Sequence, residues 1–259
     1  LTPASARKRA RICVRLAIAA YRLAFALGGA ISLAAATAYR LLPSVMPRTA
    51  SAQRGSSLTV LRDRPYVVLT LLNTVILLYI PLLNMALPLW IALHTHAPLW
   101  IASVLYGLNT VSVMLMQVGL ARRVTNACEA RRSIFFATLL LCAACFLFAA
   151  MAMPSAVWLT VVLALLAALL HVLGEMMHMA GAWDLSFRLA PPGLEGEYQG
   201  FFNISSAAAE MFGPILLTAL LVGWGWPGWV LLAIAFPAAG FVIMVLFGRQ
   251  AYLPRDLSD

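Results

Sequence analysis

Three ionisable side chains stand close together in a stretch that is otherwise apolar: His171, Glu175 and His178. Their spacing puts all three on one face of an α-helix. A carboxyl between two imidazoles can take part in a proton relay, because histidine changes charge near neutral pH and a carboxylate accepts what it releases. The plainer reading is that the three groups satisfy one another or polar groups on neighbouring helices. His and Glu at this spacing also suit a metal ion, but no further ligand cluster stands nearby, so neither a metal nor another cofactor is expected. Glu210 is a second carboxyl inside an apolar run, and Gly213-Pro214 follows it. Such a pair kinks or breaks a helix. His171, Glu175, His178 and Glu210 are therefore the candidates for moving protons.

The candidates for holding a solute are uncharged. Asn73 and Asn84 share an apolar run with Pro81 and Pro88. Prolines leave carbonyls without helical partners, and asparagines hydrogen-bond across helices. Asn109 and Gln117 lie on roughly one face of the next run. Ordinary helix-to-helix bonding explains any single one of these four. Methionines such as Met85, Met114 and Met176 can line an adaptable pocket, although packing is their usual role.

What must position these residues follows from composition. Of 259 residues, 63% are hydrophobic and 10% charged. A soluble domain carries roughly 25% charged residues, and a fold of this size has too much wetted surface to hide so much apolar area. A bilayer removes the difficulty. The net charge of +9 raises the question of nucleic acid, but the basic residues sit in short stretches between apolar runs. Lipid, not nucleic acid, is the expected partner.

A spanning helix needs about 20 apolar residues. Seven runs qualify: 20–42, 66–93, 99–121, 133–153, 157–183, 198–222 and 229–248. They are continuous rather than alternating, so helices are expected instead of a barrel. The fold class is all-α, a polytopic transmembrane bundle of about seven helices. Five parts are expected: a basic N-terminal segment 1–19, a helix 20–42, a cytoplasmic linker 43–65, a six-helix bundle 66–248 and a cytoplasmic tail 249–259. Arginines fill alternate loops, around 40–64, 122–132, 188 and 249–255, and the other three loops contain no Lys or Arg. Positive residues resist translocation, which puts the arginine-bearing loops and the C-terminus on the cytoplasmic side of a cell membrane. The basic residues at 7–15 disagree with that count; the end of a preceding, truncated helix at 12–20 is the favoured explanation, and an unnatural end or a helix 20–42 that fails to insert are the alternatives. All seven tryptophans fall near expected helix ends, where the headgroup level suits them.

The stretch Leu61-Arg-Asp-Arg-Pro-Tyr66, an Asn- and Pro-bearing helix, and Ala86-Leu-Pro-Leu-Trp-Ile91 follow one another. Asn109-Thr-Val with Gln117 and Arg122-Arg123 comes next, then Gly174-Glu175, Leu189-Ala-Pro191, Gly196-Glu-Tyr-Gln-Gly200 and Gly213-Pro214. In this order they resemble the C-terminal six-helix half of a major facilitator superfamily transporter of the bacterial drug-efflux type. The helix at 20–42 then takes the sixth place, and the family's first five helices are missing. The loop after Gly119-Leu-Ala121 also lacks the aspartate of the family's G-x-L-a-D-r-x-G-r signature. The resemblance implies a small-molecule substrate bound between two halves, alternating access, and export driven by protons. A missing N-terminal half is then an expected partner.

Other classes are weaker. No G-x-S-x-G, Walker A or H-E-x-x-H motif is present, so an enzyme is not expected. A retinal receptor needs a lysine in a late helix, and Lys8 is the only lysine. A ligand-binding seven-helix receptor, a membrane assembly factor and a nonfunctional transporter remnant are the remaining alternatives.

Overall fold

The computed structural model describes residues 22–23, 25–38, 40, 59–153 and 156–250. All regular structure among them is helical. The chain falls into two compact units, Leu1–Gln53 and Arg54–Asp259. The first unit contributes one apolar helix, α1 (Phe25–Ala38), within the expected span 20–42. The basic segment 1–19, residues 43–58 of the expected linker and the tail from 251 lie outside the described residues.

Six helices in the second unit are long and apolar enough to cross a membrane: α2 (Arg64–His94), α3 (Trp100–Ala121), α4 (Ala127–Ala150), α5 (Val157–Leu189), α6 (Glu195–Gly223) and α7 (Trp226–Gly248). Two ends depart from expectation by more than three residues. α4 begins at Ala127, not at 133, because Asn126 caps it. Its side-chain oxygen accepts the Glu129 amide at 2.9 Å, and Glu129 reaches back to the Thr125 amide at 2.8 Å. This reciprocal arrangement satisfies donors that the first turn would otherwise leave open. α5 continues beyond 183 as a polar turn in which Asp184 and Arg188 pair at 2.6 Å. Hydropathy marks the apolar slab, whereas backbone bonding and caps mark where a helix ends.

The helices meet through small residues, as lipid demands: with no hydrophobic force between apolar helices, close backbone packing holds them. Gly174 and Gly181 lie two turns apart on α5. A β-carbon at either would crowd the backbone of α4, against the carbonyl oxygens of Ala137 and Ala130 respectively. The pairs 174/137 and 181/130 run in opposite order, so α4 and α5 are antiparallel. On another side of α4, Thr138 packs on Gly240 of α7, and Arg131 donates to the Met244 carbonyl at 3.1 Å. α2 and α6 run parallel: Tyr66, Asn73 and Pro81 meet Tyr198, Ser205 and Gly213 in the same order.

α2 is interrupted where its sequence predicts. Pro81 has no amide hydrogen to give to Leu77, and the Leu77 carbonyl takes the Ile80 amide instead, at 3.0 Å. A π-helical turn, Leu82–Ala86, follows before regular α-helix resumes. Asp63 fixes the start of α2 by accepting the Tyr66 amide at 3.3 Å, with Pro65 in the first turn. The tryptophans divide into two kinds. Trp158 and Trp224 are exposed near helix ends, but Trp90 and Trp229 are buried and pack edge-to-face at 5.5 Å. Trp90 donates its indole N–H to the Phe148 carbonyl at 3.1 Å, so these two lock helices together instead of anchoring at the headgroups.

Candidate functional site

The ionisable face of α5 is turned into the bundle. His171 and His178 are fully buried, and Glu175 keeps 22% of its side-chain surface open. The two glycines that bring α5 against α4 lie three residues beyond each histidine, on nearly the same face. Close packing thus buries the imidazoles against the interrupted part of α2.

His171 contacts the carbonyl of Tyr79 through Nε2 at 3.1 Å. A carbonyl only accepts, so Nε2 carries the hydrogen. In the neutral ring Nδ1 is then an acceptor. It lies 3.9 Å from Glu175 Oε2, beyond direct hydrogen-bond reach. The same Oε2 accepts the Asn109 amide at 2.6 Å. Three helices, α2, α3 and α5, therefore converge on one carboxyl and its imidazole.

His178 heads a second chain of bonds. Its Nε2 lies 3.0 Å from Asn73 Oδ1, Asn73 Nδ2 donates to Ser205 Oγ at 2.7 Å, and Ser205 donates to the Phe202 carbonyl at 2.6 Å. The end of the chain fixes its direction. The Phe202 carbonyl takes the serine hydrogen, so the serine oxygen accepts from Asn73, and the Asn73 oxygen accepts from His178. Both ends of the Asn73 amide are thus engaged within the protein. A cavity of about 30 Å³ adjoins Asn73 and His178, enough for at least one water.

Tyr79 stands between the two imidazoles, edge-on to His171 at 5.7 Å and to His178 at 5.6 Å. Among the described residues its hydroxyl, His171 Nδ1 and His178 Nδ1 are all buried without a hydrogen-bond partner. Buried polar atoms are rarely left so. Sequence reasoning missed Tyr79 and Ser205. Neither carried a signal in the sequence: an aromatic residue and a serine in apolar runs read as packing.

The remaining candidates divide. Glu210 and Asn84 come together across α6 and α2, lining an open groove with Ile80, Pro81, Met85 and Pro214. Gln117 is exposed on α3 and joins neither the histidine cluster nor the groove. Pro81 links the two sites. It is packed against Gly213 of α6, and the Tyr79 carbonyl beside it receives His171. Among the described residues no group of three or more His, Cys, Asp or Glu side chains is arranged to hold a metal.

Comparison with curated proteins and with solved structures finds no match. A family model does match, over residues 15–214, a range that takes in every candidate residue above. On that match, and with six apolar helices to cross a membrane, the chain belongs to the Major Facilitator Superfamily and is a multi-pass membrane transport protein.

Proposed function

We propose that the protein exports a small molecule in exchange for protons across the cell membrane, with its C-terminus in the cytoplasm. The observation that carries this reading is the Asn109–Glu175–His171 cluster: a carboxyl at membrane depth, partly open to the outside of the bundle, with an acceptor nitrogen facing it. Glu175 loads and releases the proton. His171 relays it, and His178 extends the polar path towards Asn73 and the water-sized cavity. Glu210 is the second carboxyl to exchange a proton. Asn84 contacts the solute, while Asn73 and Asn109 act on it through the groups they hold. The interruption in α2 supports coupling, because the same few residues touch the imidazoles on one side and the Glu210 groove on the other.

The transport cycle needs a second wall. Only 17% of the most apolar stretch of α3 and 22% of that of α6 is buried, against 61% for α2. These two helices carry Asn109 and Glu210, and a second helical half facing them would enclose the site between halves. The experiment is proton release by the full-length protein, purified in weakly buffered detergent solution. Adding a transported solute should release protons from the wild type and few or none from Glu175→Gln. Equal release from both would remove Glu175 from the mechanism.

A further inference from the structure

Arg131 is a buried cation without a countercharge. It stands in the second turn of α4, only 9% exposed, in the seam with α7. Its Nε donates to the Ala127 carbonyl at 3.2 Å and its Nη1 to the Met244 carbonyl at 3.1 Å. Gly248 leaves room for it, since a β-carbon there would lie 2.8 Å from Nη1. The carbonyls take two guanidinium hydrogens and neutralise no charge. Among the described residues no carboxylate pairs with Arg131, and the hydrogens on Nη2 have no acceptor. α7 contains no Asp or Glu. The nearest acid in sequence, Glu129, is turned back to the Thr125 amide and hydroxyl, both at 2.8 Å. Arg132 is exposed and, among the described residues, also unpaired. A charge in a spanning helix is costly to keep without a partner. An aromatic strip continues from the two arginines along the seam. The Phe135 ring lies 6.1 Å from that of Phe136 and 6.5 Å from that of Phe241 on α7. Phe136 is 53% exposed and Phe241 57%.

We propose that the α4–α7 seam holds one anionic phospholipid. Its phosphodiester takes the missing acceptor's place on Arg131 and pairs with Arg132, because a guanidinium presents two parallel N–H groups to a phosphate. One acyl chain lies over Phe136 and Phe241, which point into the apolar slab from the level of the headgroups. The orientation proposed above makes this the cytoplasmic leaflet, where anionic lipid meets basic side chains between helices. A zwitterionic lipid brings its own cation towards the two arginines and is held less tightly. The lipid supplies the countercharge that the protein lacks and ties α4 to α7, so it stabilises the fold when bound. This site faces away from the groups assigned to proton and solute, and it stands or falls without them.

The test is native mass spectrometry of the purified, delipidated full-length protein. It is offered equal amounts of dioleoylphosphatidylglycerol and dioleoylphosphatidylcholine, which share their chains and differ in charge. The wild type should retain one phosphatidylglycerol in preference by at least about tenfold. Arg131→Gln should abolish that preference, and Arg132→Gln, an exposed change, should lower it at least about threefold. Arg62→Gln removes a charge from another arginine-bearing segment and should leave it unchanged. Phosphatidylglycerol should also raise the unfolding midpoint of the wild type but not of Arg131→Gln, a response that a mere clamp on Met244 would not show. Where Arg131→Gln does not fold, Arg132→Gln decides. Equal retention of the two lipids by the wild type, or an unchanged preference in folded Arg131→Gln or Arg132→Gln, would overturn the proposal. So would an equal loss in Arg62→Gln, which would reduce the effect to general surface charge. Glycerol 3-phosphate, a headgroup phosphate without chains, should not displace the lipid at equal concentration; displacement would mark a free-phosphate site and overturn the lipid assignment.

Discussion

At the scale of single residues, the unpartnered atoms decide most. Among the described residues the Tyr79 hydroxyl is buried without a hydrogen-bond partner, so removing it relieves a desolvation cost instead of breaking a contact. Tyr79→Phe should leave thermal stability in detergent unchanged or raise it by about 1 kcal/mol or less. A clear loss would mean that the hydroxyl has a protein partner. Asn73 is the opposite case. Asn73→Leu strips His178 and Ser205 of their bonds at once, and should destabilise the protein by about 2–4 kcal/mol, seen as a lower unfolding midpoint. The sequence made His171, Glu175 and His178 legible because cost at membrane depth singles them out and helical spacing aligns them. It did not reveal which asparagine serves which partner. Asn73 and Asn109 read alike as polar residues in apolar runs, and only packing separates the holder of His178 from the holder of Glu175. Tyr79 was illegible because an aromatic residue in an apolar helix is normally packing.

At the scale of elements, the spans were readable and their ends less so. Apolar length fixes where a helix crosses the slab, but Asn126 with Glu129 and Asp184 with Arg188 extend α4 and α5 into polar sequence that hydropathy discards. The closest helix contact was also hidden. Gly174 and Gly181 look like ordinary membrane glycines until the backbone of α4 is found against them. Gly181→Val forces a branched side chain against the Ala130 carbonyl and Ile134, and overpacking of this kind costs about 1–3 kcal/mol. The expected outcome is a lower yield of folded protein and a lower unfolding midpoint, with Gly119→Ala, whose surroundings are open, unaffected. Wild-type behaviour of Gly181→Val would show that α4 and α5 lie farther apart. The break in α2 was legible from Pro81, since a missing amide hydrogen has a fixed consequence, but its closeness to both polar sites was not.

At the scale of the molecule, the alternation of arginine-bearing and arginine-free turns yields a topology that can be tested directly. Cys128 is exposed in the first turn of α4, close in sequence to Arg131 and Arg132. In a Cys13→Ser background, a membrane-impermeant maleimide should label Cys128 only after the cells are permeabilised. Labelling of intact cells would invert the orientation. Among the described residues α3 and α6 are the least buried of the six spanning helices. The exchange of protons for solute is the central claim, and it separates two activities that a transporter normally performs together. In proteoliposomes containing the full-length protein, Glu175→Gln should retain solute–solute exchange at equal pH and lose accumulation driven by an imposed pH gradient. Accumulation by Glu175→Gln at the wild-type rate would contradict the account.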